Sequence, residues 1–264
     1  MIRKADGVLL DLDGTVYQEG WAIPGAADAL AVLRRERFPF RFTTNTTRRP
    51  RSALAEQLRN LGIPAQPEEI LSAPAAAAGW LRSRGIRRIH LLLAEATREE
   101  FSDFVLDDHA PEVVVVGDLG EEWTFPILNQ AFRCLLDGAE LLAVQRNRYW
   151  KTAGGLSLDA GPFVAALEYG SGKEATLVGK PSRAFFTAAA QELGIPFERI
   201  AVVGDDLESD VAGARAGGMM GVAVRTGKYR PQDEERARRA ADAVLGSIAD
   251  LPAWLGFDSP PPSQ

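Results

Sequence analysis

The chain alternates short apolar runs with stretches in which apolar residues recur at helical spacing. Val8-Leu9-Leu10 runs straight into Asp11-Leu12-Asp13-Gly14-Thr15. An unbroken apolar run of this kind reads as a strand buried on both faces of a parallel sheet. Ile23-Pro24-Gly25 leads into a helix through about Arg35, with Pro24 suited to its first turn and Leu30 and Leu33 on its apolar face. Phe38–Phe42 is the next strand and ends in Thr43-Thr44-Asn45-Thr46-Thr47. Leu54, Leu58 and Leu61 mark one face of a helix over Arg51–Leu61, which Gly62 stops. This β-α-β-α order, with polar residues after each strand, is the pattern of a doubly wound sheet.

The middle of the chain alternates in the same way. Ala75–Trp80 reads as an Ala-rich helix, followed by strands at His90–Ala94 and Val113–Gly117. A helix over Asn129–Leu136, a strand over Glu140–Val144 and a helix at about Pro162–Tyr169 complete it. No strand here ends in paired acids. The opening pattern then returns. Thr176–Pro181 is a short strand meeting a proline, and Ser182 is placed to cap a helix with Phe185, Phe186 and Leu193 on its face. Ile200-Ala201-Val202-Val203-Gly204-Asp205-Asp206 repeats the opening logic, an apolar run into paired acids. Val211, Ala212 and Ala214 continue as a helix that Gly217-Gly218 ends, and Gly221–Val224 and Ala243-Val244 are further strands. The tail Pro260–Gln264 is expected to be disordered. The fold expected is α/β, a doubly wound, Rossmann-like parallel-sheet core of residues 1–73 and 174–264, with an inserted α/β cap domain at 74–173.

Composition narrows the partners. A chain of 264 residues with 25% charged residues and a net charge of −6 argues against nucleic acid or an anionic membrane surface as the main partner. Cys134 is the single cysteine, so no intramolecular disulfide forms. The N-terminus passes directly into the first strand, and no apolar run approaches the roughly 20 residues of a membrane span. A cytoplasmic location is expected.

Four polar clusters follow predicted strands: Asp11/Asp13, Thr44/Asn45, Lys180 and Asp205/Asp206/Asp210. Each has a bland reading on its own: a solvated Asx-turn, a helix cap, a surface lysine, an acidic turn. Open α/β sheets bind ligands at the carboxyl ends of their strands. Taken together, the clusters supply carboxylates for a hard divalent cation, a lysine for an anion, and hydroxyl and amide donors for oxyanions. Gly170-Ser171-Gly172-Lys173 ends like a phosphate-binding loop, but Glu174 stands where Ser or Thr is required. His90, His109 and Cys134 read as structural. The basic stretch Arg146–Lys151 is expected to be a cap loop that touches an anionic substrate.

The order Asp-x-Asp-Gly-Thr, Thr-Asn, Gly-Lys-Pro and Gly-Asp-Asp-x-x-x-Asp resembles the haloacid dehalogenase-like phosphohydrolases, from Gly7 to about Leu255. The large insertion is similar to that of the subfamily with a bulky α/β cap. Ile127–Arg133, Gly161–Tyr169 and Arg225–Pro231 are similar to the phospholysine phosphohistidine inorganic pyrophosphate phosphatase branch. The resemblance implies a phosphatase that acts through an aspartyl-phosphate. It makes Asp11 the nucleophile and Asp13 the acid and base. Mg²⁺ would be bound by the Asp11 carboxylate, the Asp13 backbone carbonyl and Asp205, with Asp206 and Asp210 orienting those ligands. Thr44, the Asn45 backbone and Lys180 would hold the phosphoryl oxygens. The implied partner is a small phosphorylated molecule (a monoester, pyrophosphate or phosphoamide), with a homodimer through the cap among the expectations. Two alternatives stand beside it: a nucleotide, sugar-phosphate or phosphoglycolate phosphatase of the same superfamily, and a non-catalytic metal- and phosphate-binding regulatory protein.

Overall fold

The structure, a computed structural model, describes residues 4–152 and 154–257. The expected disordered tail lies outside the described residues. The chain divides into two compact units. Met1–Thr44, Arg51–Leu71 and Phe185–Gln264 form the first, and Asn45–Pro50 with Ser72–Ala184 form the second.

In the first unit six strands form one sheet: β1 (Gly7–Asp11), β2 (Phe40–Thr44), β3 (Ile70–Ser72), β4 (Ile200–Gly204), β5 (Met220–Val224) and β6 (Ala243–Leu245), in the order β6-β5-β4-β1-β2-β3. β1 pairs in parallel with both β2 and β4, setting Leu10 opposite Phe42 on one side and Val203 on the other. β4–β5 and β5–β6 are parallel too. Helices α1 (Ala26–Arg35), α2 (Arg51–Asn60) and α3 (Arg183–Leu193) form where the apolar spacing predicts them. Leu30, Leu33, Leu54 and Leu58 are buried in one cluster with Val8, Leu10, Phe42 and Val203. Each such side chain contributes about 1.5–3 kcal/mol by leaving water. After β1 the chain moves to β2 on one side, and β4 lies on the other. The strand order therefore reverses between β1 and β4, and the carboxyl ends at such a switch point are where open α/β sheets bind ligands.

The second unit has its own sheet of five parallel strands, in the order Thr176–Leu177, Glu140–Ala143, Val113–Val116, Arg88–Leu92, Val105–Leu106. Val114, Val116 and Leu141 pack there against Ala131, Cys134 and Leu135 of the helix Phe125–Leu136 and against Val164 and Leu167 of the helix Ala160–Ser171. Thr176–Leu177, read from the sequence as a return to the first unit's pattern, pairs with Leu142 and Ala143 instead. Two residues are too few to carry a face signal, and either sheet would accept them. An antiparallel hairpin, Tyr149–Thr152 with Gly155–Leu158, also escaped the sequence reading, because its basic and aromatic residues do not alternate cleanly. Among the described residues no helix is long and apolar enough to cross a membrane.

Candidate functional site

Asp11 closes β1 and is buried. The chain then folds back over Leu12, whose carbonyl accepts the N–H groups of Val16 at 2.9 Å and Tyr17 at 3.1 Å, while Gly14 N–H donates to Tyr17 O at 2.7 Å. This turn leaves Asp13 exposed beyond the strand end. Gly14 takes a left-handed φ of 84°. A Cβ there would strike the Asp205 carboxylate and lie 2.9 Å from Gly227 Cα.

β4 delivers the other acids. Past Gly204 the chain enters a π-helical turn, Leu207–Ala212, of the wide kind that recurs at functional sites. Asp206 caps it, its Oδ1 accepting Glu208 N–H at 2.9 Å and Ser209 N–H at 3.0 Å. Asp210 folds back so closely over Gly204 that a Cβ there would collide with its carboxyl group. As a result the carboxylates of Asp11, Asp205 and Asp210, all buried, offer oxygens within 4.8 Å of one another. Three acids this close cannot all ionise without compensation. Burial, then Asp11, then Asp210 push the Asp205 carboxyl up to about 8, although the Lys228 N–H favours its charged form. For Asp206 burial is outweighed. The Lys228 charge and hydrogen bond, helped by the cap N–H groups, hold it at about 2.

The loop after β5 is the part of the site that sequence reasoning missed. Thr226 Oγ1 donates to Gly14 O at 2.6 Å, Lys228 N–H donates to Asp205 Oδ2 at 2.6 Å, and Lys228 Nζ reaches Asp206 Oδ2 at 2.8 Å. Gly227, at φ 62°, lets the loop approach. Thr226-Gly227-Lys228 lies inside Arg225–Pro231, a stretch that carried a family resemblance in the sequence but no sign of contact with the acids.

Thr44 ends β2 and is buried, one residue beyond Thr43, which registers with Asp11. Asn45 and Lys180 belong to the second unit. There the Asn45 side chain grips the Lys180 backbone from both sides, accepting its N–H at 2.8 Å and donating to its carbonyl at 2.8 Å. Lys180 is itself buried. The structure thus brings Asp11, Asp205 and Asp210 together, with Asp206 adjoining, and separately joins Asn45 to Lys180. Arg146, from the basic stretch expected to meet substrate, pairs with Glu168 at 2.7 Å. His90 and Cys134 are buried in the second unit. The clustered carboxylates are hard oxygen donors that share excess negative charge, a set that fits a divalent cation.

A family model described as haloacid dehalogenase-like hydrolase matches residues 8–106, and a second, HAD-hydrolase-like model matches residues 177–251. The chain is 43% identical over 234 residues to the human haloacid dehalogenase-like hydrolase domain-containing protein 2, covering 89% of each. It is 40% identical over 250 residues to the phospholysine phosphohistidine inorganic pyrophosphate phosphatase of Bos taurus, covering 92% of each. Among solved structures, a p-nitrophenyl phosphatase from Archaeoglobus fulgidus superposes with a TM-score of 0.87 at 28% identity, covering 94% of this chain and 98% of that one. With two related sequences at 40% identity or more over nearly their whole length, and with the acids gathered at the switch point of its sheet, the chain belongs to the haloacid dehalogenase-like hydrolase family.

Proposed function

We propose that the protein is a phosphatase acting on a small phosphorylated molecule through an aspartyl-phosphate on Asp11. The observation that carries this reading is the placement of Asp11, Asp205 and Asp210 within 4.8 Å of one another at the switch point past the carboxyl ends of β1 and β4. The phosphatase names of the bovine and archaeal relatives support it.

In the first half-reaction an Asp11 carboxylate oxygen bonds to phosphorus, the bond to the leaving oxygen breaks, and Asp13 gives that oxygen its proton. Asp13, exposed at the turn, then takes a proton from water, whose oxygen displaces the Asp11 carboxylate and frees phosphate. Splitting the transfer replaces one difficult displacement with two easier ones. Asp11 and Asp205, with the Asp13 backbone carbonyl, are the proposed ligands for Mg²⁺, which when bound neutralises the acids and the charge on the phosphoryl oxygens. Asp210 and Asp206 steady that set. Thr44, the Asn45 backbone and Lys180 are assigned to the phosphoryl oxygens, where positioning and charge do most of the work of phosphoryl transfer. We assign the protein to the cytoplasm.

A panel of phosphate monoesters, pyrophosphate and phosphoamides tests this, assayed with Mg²⁺ and after exhaustive chelation. Hydrolysis of at least one class with Mg²⁺, lost on chelation and restored by Mg²⁺, is the expected result. Preference for nucleotides, sugar phosphates or phosphoglycolate would move the protein to a different substrate class. Full activity in chelated protein would refute the cation's role, and no turnover of any substrate would favour a regulatory binding protein. Retention of both Asp11 and Asp13 argues for turnover.

A further inference from the structure

Lys228 stands where the acid cluster meets solvent. Its backbone is fixed by the 2.6 Å hydrogen bond to Asp205, yet its side chain is 70% exposed and ends on Asp206 Oδ2. The pair joins an exposed ammonium to a half-buried carboxylate, and an ammonium on a four-carbon stem re-aims its three donors easily. The ammonium can therefore swing from Asp206 to another anion that offers it equal charge. Asp206 keeps its place when this happens, because its Oδ1 still accepts Glu208 and Ser209 N–H. The cation at the start of the same loop is committed. Arg225 holds both oxygens of Glu234, at 2.7 and 2.9 Å, and Tyr229 joins the same carboxylate.

The charge of the site says what that lysine is for. Asp11, Asp205, Asp210 and the adjoining Asp206 carry up to four negative charges, more than one divalent cation offsets, and so disfavour a leaving group that is itself negative. An alcohol leaves neutral once protonated. A phosphate leaving group takes the electron pair of the bridging P–O bond and the Asp13 proton on the departing oxygen in the same way, and still leaves as an anion through its other oxygens. In the phosphatase reading Lys180 and the divalent cation serve the transferred phosphoryl group, so a further cation is needed for the group that leaves.

We propose that Lys228 recognises an anionic leaving group, a second phosphate above all, by transferring its ammonium from Asp206 to that group. Lys228 supplies charge and hydrogen bonds and gives up no proton. The inference rests on the phosphatase reading for its direction of transfer, and its test has one arm that turnover does not touch.

In the turnover arm, Lys228→Met and Lys228→Arg are compared with wild type on pyrophosphate and on p-nitrophenyl phosphate. The Met variant should lose at least about tenfold more kcat/KM on pyrophosphate than on the aryl ester, and the Arg variant should recover part of that difference. In the binding arm, the same substitutions are made on Asp13→Asn protein, which keeps the proposed Mg²⁺ ligands, and titrated calorimetrically with Mg²⁺ alone, then with inorganic phosphate or imidodiphosphate in its presence. Imidodiphosphate should weaken by at least about tenfold more than phosphate, and Mg²⁺ alone should bind no more weakly than before. Equal losses on both anions, no loss on either, or loss of Mg²⁺ binding would overturn the proposal and leave Lys228 a structural residue. If wild type hydrolyses no phosphate compound, the phosphatase reading fails, and the binding arm still decides the role of Lys228.

Discussion

Burial, with Asp11 and Asp210 beside it, raises the Asp205 carboxyl from 3.8 to about 8, and this has a consequence for stability. A carboxyl whose folded pKa lies above its unfolded value favours the folded state while it holds its proton. The contribution is fully present below the unfolded value, declines as pH rises, and is lost through the folded one. Cation-free protein should therefore weaken between about pH 4 and pH 8, by an amount on the order of a few kcal/mol. Thermal melts in chelator at both ends of that window check this. Wild type should lose more melting temperature on going to the higher pH than Asp205→Asn, and Mg²⁺ should remove most of the difference. Parallel pH dependence in the two proteins would mean that Asp205 is not the strained member of the cluster. Asp205 and Asp11 were legible in the sequence because each follows an apolar run whose end marks a strand's carboxyl terminus. Lys228 was not, since a lysine after glycine carries no signal until the fold sets it against Asp205 and Asp206.

Among the elements, the loop after β5 shows how local backbone shape serves the site. Gly227 and Gly218 both have positive φ, 62° and 89°, where a side chain costs about 1–2 kcal/mol. Their surroundings differ. A Cβ at Gly227 would strike the Asp205 carboxylate and lie 2.6 Å from Gly14 Cα, whereas one at Gly218 meets nothing within 4 Å. Gly218→Ala should cost stability alone. Gly227→Ala should cost stability and also weaken Mg²⁺ binding, because Asp205 must move. Denaturation curves and metal titrations of the two variants separate these outcomes, and equal metal affinities would show that Asp205 has room to adjust. The longer strands and helices of both units were legible because long apolar and amphipathic runs survive burial unchanged, as in β1, α2 and Val113–Val116. The strands Ile70–Ser72 and Val105–Leu106, the sheet that Thr176–Leu177 joins, and the hairpin of Tyr149–Thr152 with Gly155–Leu158 were not. Short segments take their partners from tertiary context, and no periodicity records it.

At the scale of the molecule, one chain builds two α/β units, each with its own parallel sheet and apolar core. The candidate acids Asp11, Asp205, Asp206 and Asp210 lie in the first unit, and Lys180 with Asn45 in the second. The order of the polar clusters along the sequence did not disclose that division. Asn45 follows Thr44 directly, yet its side chain is committed to a backbone 135 residues away. The central claim is narrower than the family assignment: Asp11 itself attacks phosphorus. It is tested most directly by kcat/KM for p-nitrophenyl phosphate, measured with Mg²⁺ on wild type and on Asp11→Asn, with circular dichroism confirming that both are folded. The substitution keeps the shape of the side chain and removes the charge that attacks. Activity should fall by at least about a thousandfold, and a folded Asp11→Asn protein that retains about a tenth of wild-type kcat/KM would contradict the account.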